Sequence, residues 1–109
     1  MSFTGDESVA ITLTEGAAMT KAYRDANPTA IKGHFFGINK INTILSQRGC
    51  VGVRIYYGLD NGIKQLVMVG VDANQNDLCN GIILDRSSPC PTYCGMTNAL
   101  NTTSGPPPG

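Results

Sequence analysis

The sequence predicts a small α+β domain, in which two short helices pack on a three-stranded antiparallel β-meander between irregular N- and C-terminal arms. Residues 50–71 alternate in side-chain character on both sides of a Gly- and Asn-containing turn, as the strands of a β-hairpin do. Two stretches before the hairpin carry apolar residues at helical spacing, and a third apolar run follows it. Such elements bury their apolar faces as one layer of helices on one face of a sheet.

Length and composition limit the classes of protein that this chain can belong to. Its 109 residues suffice for one domain, which we divide into an arm over 1–10, a core over 11–94 and a Gly- and Pro-rich arm over 95–109. Eight basic residues balance eight acidic ones, and only 15% of residues are charged. This composition offers no basic patch to nucleic acid, and little net charge opposes association between copies.

The first residues, MSFTGDESVAITLTEG, lack the basic and apolar regions of a secretory signal. No apolar run reaches the roughly 18 residues of a membrane helix. The sequence therefore predicts a cytoplasmic protein without a membrane partner, while an extracellular location reached by a non-classical route stays open.

The first helix is predicted over residues 13–26. Thr12 and Glu15 have the spacing of a capping box, in which each side chain binds a free backbone amide of the other residue. A proline two residues after position 26 favours an end there. Lys21 and Arg24 lie off the apolar stripe and are predicted to be solvated. The stripe consists of Gly16, Met19, Tyr23 and Ala26.

A connecting stretch over residues 30–37 leads to a second helix, predicted over 38–47. Gly49 suits the left-handed position that follows a helix. One face of this helix is apolar and comprises Ile38, Ile41, Ile44 and Leu45.

The hairpin is expected to reverse within Gly58–Gly62, and Asp72 to Asp77 forms a polar turn before a third strand over residues 78–84. The alternative for the polar turn is a calcium loop, although the glycine and the closing glutamate of such loops are missing. From Asp85 onward the sequence indicates turns, and Asn101 to Gly109 has nothing to bury.

The edges of a three-stranded sheet stay open unless they are covered or paired with another chain. We therefore expect a non-enzymatic structural protein, whose partners are other copies of itself. Association would proceed through sheet edges and terminal arms, into a filament or another large assembly. The candidate self-association residues are Gln65, Val67, Val69, Ile82 and Leu84.

The four cysteines allow several interpretations. Disulfide candidates are Cys90 and Cys94, with Cys79 and Cys50 as further members, if the compartment is oxidising. The alternative function is a small cytoplasmic metal- or thiol-based binding protein that uses Cys79, Cys90 and Cys94. Zinc would be its cofactor and would need Cys50 or His34 as a fourth ligand, although the spacing differs from the usual C-x2-C pairs. Buried reduced thiols are the remaining interpretation.

His34 is the single histidine of the chain. No orienting carboxylate or amide can be assigned to it, so a nucleophile–base pair with a cysteine has no support from the pattern. An enzyme is the least supported class, and no catalytic residue is predicted.

The segments GCVGVRIYYG, GVDANQNDL and RSSPCPTYC resemble segments of small uncharacterised proteins from Bacteroidetes-type bacteria. The resemblance covers about residues 10 to 94. It implies a bacterial origin and carries no activity, cofactor or site residue.

Overall fold

The computed structural model describes residues 2–102. Their elements form a three-stranded antiparallel sheet of order β2-β3-β4 and a two-stranded antiparallel sheet of β1 and β5. The predicted α+β class, with two helices and a three-stranded antiparallel sheet, is confirmed. In chain order the elements are α1 (Leu13–Ala26), β1 (Gly33–Phe35), α2 (Ile38–Leu45), β2 (Cys50–Asp60), β3 (Ile63–Asp72), β4 (Ile83–Leu84) and β5 (Ser88–Cys90).

The described residues divide into two compact units, each made of two chain segments. The sheet unit comprises residues 2–8 and 36–87 and contains α2 and the three-stranded sheet. The α1 unit comprises residues 9–35 and 88–102 and contains α1 and the two-stranded sheet. The single domain inferred from the sequence stays a prediction.

The sheet unit is organised by the hairpin of β2 and β3. Its turn is shorter than predicted, because only Asn61 and Gly62 lie between the closing pair Asp60 and Ile63. Both turn residues have positive φ, 52° and 80°, as the two-residue turn that matches strand twist requires. The two strands are accordingly longer than the alternation alone indicated.

Helix α2 packs on β2 and β3, and its Ile44 is fully buried. Gly70 permits the close approach, because a Cβ there would lie 3.3 Å from Ile44 Cγ2 and 2.9 Å from Gln47 Nε2. The helix ends at Leu45, two residues before its predicted end, and Gly49 takes the predicted positive φ of 82°. Among residues 2–102, the other buried apolar side chains of the core are those of Met68, Val69 and Val71.

Helix α1 has its predicted bounds and its predicted capping box at Thr12 and Glu15. Lys21 is exposed and pairs with Asp25 at 2.6 Å, as a solvated residue can. The prediction of a solvated Arg24 is wrong, because this side chain is only 3% exposed.

Two backbone carbonyls explain the burial of Arg24. Its guanidinium donates to the carbonyl oxygens of Leu100 and Thr102, and also to the hydroxyl of Thr20 at 3.2 Å. Its Nε is buried and has no hydrogen-bond partner. The turn over residues 98–102 is thereby bonded to α1 within the α1 unit.

Three local predictions differ from the structure. The third strand shrinks to β4, because residues 78–81 form a turn in which the Gly81 amide donates to the carbonyl of Leu78 at 3.0 Å. A short strand, β1, lies in the stretch 30–37, and another, β5, lies in the region after Asp85 that was predicted to form turns. The two strands pair with each other, and Phe35 lies opposite Ser88. Strands of three residues are too short to show alternation. The predictions for residues 103–109 lie outside the described residues.

Candidate functional site

The feature that the packing leaves open is the outer edge of β2. Strand β2 is the first strand of the sheet order, and within residues 2–102 its outer edge pairs with no other strand. It is also long, with 11 residues, whereas β4 at the other side of β3 has two. A long strand with unpaired amides and carbonyls is a template for pairing with another chain.

An apolar row runs along β2 beside this edge. Ile55, Tyr57 and Leu59 project from the same face, since they are two residues apart. Their exposed fractions are 45%, 94% and 74%. Helix α2 packs on the other end of the hairpin, near Gly70, and does not bury this row. We call the strand segment 54–60 with this row the β2 edge surface.

The N-terminal arm occupies the first part of β2. The Phe3 amide donates to the carbonyl of Ala73 at 2.9 Å, and a Cβ added to Gly5 would lie 3.3 Å from the carbonyl oxygen of Val51. A groove of about 320 Å³ lies between the arm and the strand. Its lining includes Phe3, Glu7, Val51, Val53 and Arg54.

The arm is held in shape by the Glu7 carboxylate. Its oxygens accept hydrogen bonds from the amides of Thr4 and Gly5, each at 2.9 Å. The hydrogen bond from the Thr4 amide is the main cause that lowers the pKa of Glu7 below its usual value. The Glu7 carboxylate at the groove is therefore already bonded to the backbone of the arm.

Arg54, Tyr56 and Asp77 form an ionisable cluster on the face of the hairpin opposite the apolar row. The Asp77 carboxylate accepts a hydrogen bond from the Tyr56 hydroxyl and forms an ion pair with Arg54. The Arg54 guanidinium also lies 5.9 Å from the ring centroid of Phe3. The cluster joins both the polar turn and the N-terminal arm to β2.

The hydrogen bonds within the cluster shift the pKa values of its three members. The hydrogen bond from Tyr56 is the first cause, and Arg54 a further one, that lowers the pKa of Asp77. The hydrogen bond between Tyr56 and Asp77 also raises the pKa of Tyr56. The hydrogen bond between Arg54 and Asp77 raises the pKa of Arg54. Each group is thus stabilised in its ordinary charge state, which is typical of a structural cluster and unlike a general acid or base poised near neutral pH.

The polar turn over residues 72–77 is stabilised by its first carboxylate. One oxygen of Asp72 accepts from the amides of Asn74 and Asn76, each at 2.9 Å. Gln75 takes a positive φ of 70°. This is a hydrogen-bonded turn of the kind that Asp favours.

The self-association residues named from the sequence fall in different environments. Val69 is buried and lies between β2 and β4, where it is paired on both sides. Gln65 and Val67 lie in the part of β3 beyond β4, opposite Gly58 and Tyr56 of β2. Ile82 is exposed just before β4, and Leu84 pairs with Met68.

The four cysteines differ in bonding and exposure. Cys90 and Cys94 form a disulfide, whereas Cys50 is half-buried and free and Cys79 is exposed and free. The disulfide uses two of the three sulfurs on which the zinc alternative depends. No group of three or more His, Cys, Asp or Glu side chains with the geometry of a metal site occurs in the part of the chain that the structure describes.

The exposed Cys79 lies in a shallow groove of about 320 Å³ within the sheet unit. Gln47 and Arg48 also line it. The Gln47 carboxamide is engaged, because its oxygen accepts from the Ile82 amide at 2.8 Å and its nitrogen donates to the carbonyl of Ile44 at 3.0 Å. The Gln47 side chain therefore joins the segment before β4 to the end of α2.

His34 lies in β1 opposite Pro89 of β5, and its side chain is half-buried. It belongs to the α1 unit, whereas Cys50 and Cys79 belong to the sheet unit. The short strand pairing around it agrees with a structural histidine.

No protein-family model matches this chain, and neither a curated protein nor a solved structure matches it. Within the described residues, no helix is both long and apolar enough to cross a membrane. The function must therefore be argued from the geometry of the chain itself.

Proposed function

We propose that this chain is a non-enzymatic structural protein whose copies associate through the edges of the three-stranded sheet. The observation that carries the proposal is the β2 edge surface. There, an unpaired strand edge coincides with an exposed row formed by Ile55, Tyr57 and Leu59.

The two properties of this surface reinforce one another. Backbone pairing between chains supplies directional hydrogen bonds, and the side chains beside the edge supply apolar area that water leaves. Full burial of a large apolar side chain contributes about 1.5–3 kcal/mol, so Tyr57 and Leu59 have much to gain from a partner. The zero net charge of the chain adds little repulsion between copies.

A second open edge makes a larger assembly possible. Strand β4 pairs only with Met68 and Val69, so no strand among residues 2–102 pairs with the outer edge of β3 over residues 65–67. A sheet that pairs at both edges adds copies without limit, whereas pairing at one edge stops at a dimer. The filament that the sequence led us to expect would need both.

The terminal arms contribute in different ways to this proposal. The N-terminal arm lies on its own sheet unit through Phe3 and Gly5, where it covers the edge near Val51. Its role is then to limit pairing to the outer part of β2. A contact of the C-terminal arm with a neighbouring copy stays a prediction.

The compartment belongs to the same proposal. The sequence led us to expect the cytoplasm, with an extracellular location as the open alternative. Disulfides persist in oxidising compartments and are rare in the cytosol, so the bond between Cys90 and Cys94 supports the extracellular alternative. A thiol titration of the denatured protein, with and without reductant, tests the bond: two reactive thiols rising to four show that it is present, and four in both cases remove the support that it gives to the extracellular alternative.

Size-exclusion chromatography with light scattering over a range of concentrations tests the association. We expect a mass above 11.5 kDa that rises with concentration. Tyr57→Lys should reduce the mass, because a charge on an edge strand is a common means of preventing pairing. Tyr93→Lys makes the same change at another exposed tyrosine, outside the sheet unit, and should leave the mass unchanged.

Two outcomes would contradict the proposal. One is a wild-type chain that stays a monomer at every concentration. The other is an equal loss of mass in both lysine variants, because the effect would then come from charge alone and not from the β2 edge surface.

A further inference from the structure

We propose that the occupant of the β2 edge surface is the same strand of a second copy, paired antiparallel about a two-fold axis at Tyr57. Residues 54 to 60 of one copy would then lie opposite residues 60 to 54 of the other. This inference rests on the proposed function, and it adds the partner strand, the symmetry and the register.

The turn of the hairpin decides which backbone groups face outward. The residues that flank a two-residue turn, here Asp60 and Ile63, form two backbone hydrogen bonds with each other. Along antiparallel strands, such hydrogen-bonded pairs alternate with pairs that form none between them. Residues 54, 56, 58 and 60 therefore direct their amides and carbonyls to β3. Ile55, Tyr57 and Leu59 direct theirs to the open edge, so these residues must pair with one another between copies.

The N-terminal arm narrows the choice of register. Because the arm lies beside the Val51 carbonyl, a second strand at the first residues of β2 would have to displace it. A pairing centred at Tyr57 uses only the segment from Arg54 to Asp60, of which Arg54 alone lines the groove beside the arm. A pairing centred nearer Val51 would require the arm to leave its place.

Side-chain chemistry selects the centre among the remaining registers. In an antiparallel pairing, residues directly opposite project from the same face. A centre at Tyr57 places Ile55 opposite Leu59 of the second copy and the two Tyr57 side chains opposite each other. These exposed apolar side chains then form one continuous row across the two sheets.

Charge complementarity supports the same centre on the other face. Arg54 comes to lie opposite Asp60 of the second copy, and the pair occurs twice because of the two-fold symmetry. In the single chain the Arg54 guanidinium binds Asp77 and the carbonyl of Gln75, so the pair with Asp60 requires this side chain, which is 33% exposed, to share its five donors or to turn toward the open edge. Moving the centre by one residue places Arg54 opposite Gly58 or Gly62 and removes both charge pairs.

Cysteine cross-linking measures the register directly. In a background with Cys79→Ser, which removes the exposed native thiol, Tyr57→Cys, Ile55→Cys and Leu59→Cys are made one at a time. The two copies of residue 57 would have Cα atoms about 5.5 Å apart. The two copies of residue 55, and those of residue 59, would be displaced by four residues, or about 14 Å.

A short bismaleimide should therefore cross-link Tyr57→Cys at least about fivefold more than either neighbour, as follows from those separations. All three positions are exposed, so we expect the substitutions to leave the fold unchanged, and light scattering on each variant checks that it still associates. A maximum at residue 55 or 59, or equal yields at all three, would overturn the register.

The cross-linking result and the proposed function can fail separately. If the wild-type chain associates but Tyr57→Cys has no advantage, copies meet elsewhere, and this inference is wrong while the proposed function stands. If the wild-type chain is a monomer throughout, both are wrong.

Discussion

Asp77 holds Arg54 from a distance of 23 residues along the chain, and the ion pair ties the polar turn after β3 to the face of β2. The Tyr56 hydroxyl donates to the same carboxylate. One acidic side chain thus joins two structural segments of the sheet unit, and several measurable consequences follow from it.

Replacing this carboxylate should lower the stability of the sheet unit. Asp77→Asn keeps the size of the side chain but removes the charge that Arg54 and Tyr56 bind, so we expect the Tm to fall by a few degrees. Thermal unfolding monitored by circular dichroism measures it. Asp85→Asn, at an exposed position directly after β4, is the matched control and should leave the Tm unchanged.

Acid should weaken the fold through the same carboxylate. The pKa of Asp77 is lower in the folded chain than in the unfolded one. Its contribution to the free energy of unfolding is therefore complete above the unfolded pKa of about 3.9 and is lost as the pH falls through the folded pKa. Glu15 acts in the same direction, because the Thr12 amide lowers its pKa. A Tm profile from pH 7 downward should fall below about pH 4, and the fall should be smaller in Asp77→Asn.

Alkali should act through Tyr56 with the opposite sign. The hydrogen bond to Asp77 raises the pKa of Tyr56 in the folded chain. The contribution of Tyr56 to the free energy of unfolding is therefore complete below the unfolded pKa of about 10 and is lost as the pH rises through the folded pKa. We expect Tyr56→Phe to remove part of the decline in Tm above about pH 10. An identical decline in Tyr57→Phe and Tyr56→Phe would contradict this role, because Tyr57 is the exposed neighbour.

Ile44 should dominate the packing of α2. It is fully buried, so Ile44→Ala should cost about 2–5 kcal/mol of the free energy of unfolding. Ile38 lies in the same helix but is 71% exposed, and Ile38→Ala should cost less than about 0.5 kcal/mol. Urea unfolding compares the two variants, and similar costs would mean that α2 does not pack as described.

Arg24 should hold the segment over residues 98–102 on α1. Arg24→Ala removes the donors to the carbonyls of Leu100 and Thr102, so hydrogen exchange of the amides in this segment should quicken by about tenfold or more. Lys21→Ala, at an exposed position of the same helix, should leave these amides unchanged. Unchanged exchange in Arg24→Ala would show that other contacts hold the segment.

Much of the secondary structure could be read from local patterns. The capping box at Thr12 and Glu15 placed the start of α1, and the alternation around the turn placed β2 and β3. Both signals come from interactions between residues close in sequence, so a single chain segment contains all the information that they need. The third strand was overestimated because an apolar run over 82–84 does not reveal the turn before it.

The candidate surface was predictable only in kind. A sheet of few strands implied open edges, and the sequence placed the candidates Gln65, Val67, Val69, Ile82 and Leu84 in and around β3 and β4. The order of the strands makes β2, in which no candidate lies, an edge strand as well. Strand order depends on pairing between distant residues, and alternation within one strand carries no information about its neighbours. The signal that could have identified β2 is its own side chains, since Ile55, Tyr57 and Leu59 place a large apolar residue at every second position of the longest strand.

The sequence by itself determined the elements that form locally: a capped helix, an amphipathic helix and a hairpin whose turn requires positive φ. Only the tertiary structure decided which charged groups lie inside and which strand edge stays open. Arg24 shows the reason, because its burial depends on carbonyls more than 70 residues away in the chain, at Leu100 and Thr102. Such long-range partners compensate the cost of removing a charge from water, and no pattern around Arg24 itself records them.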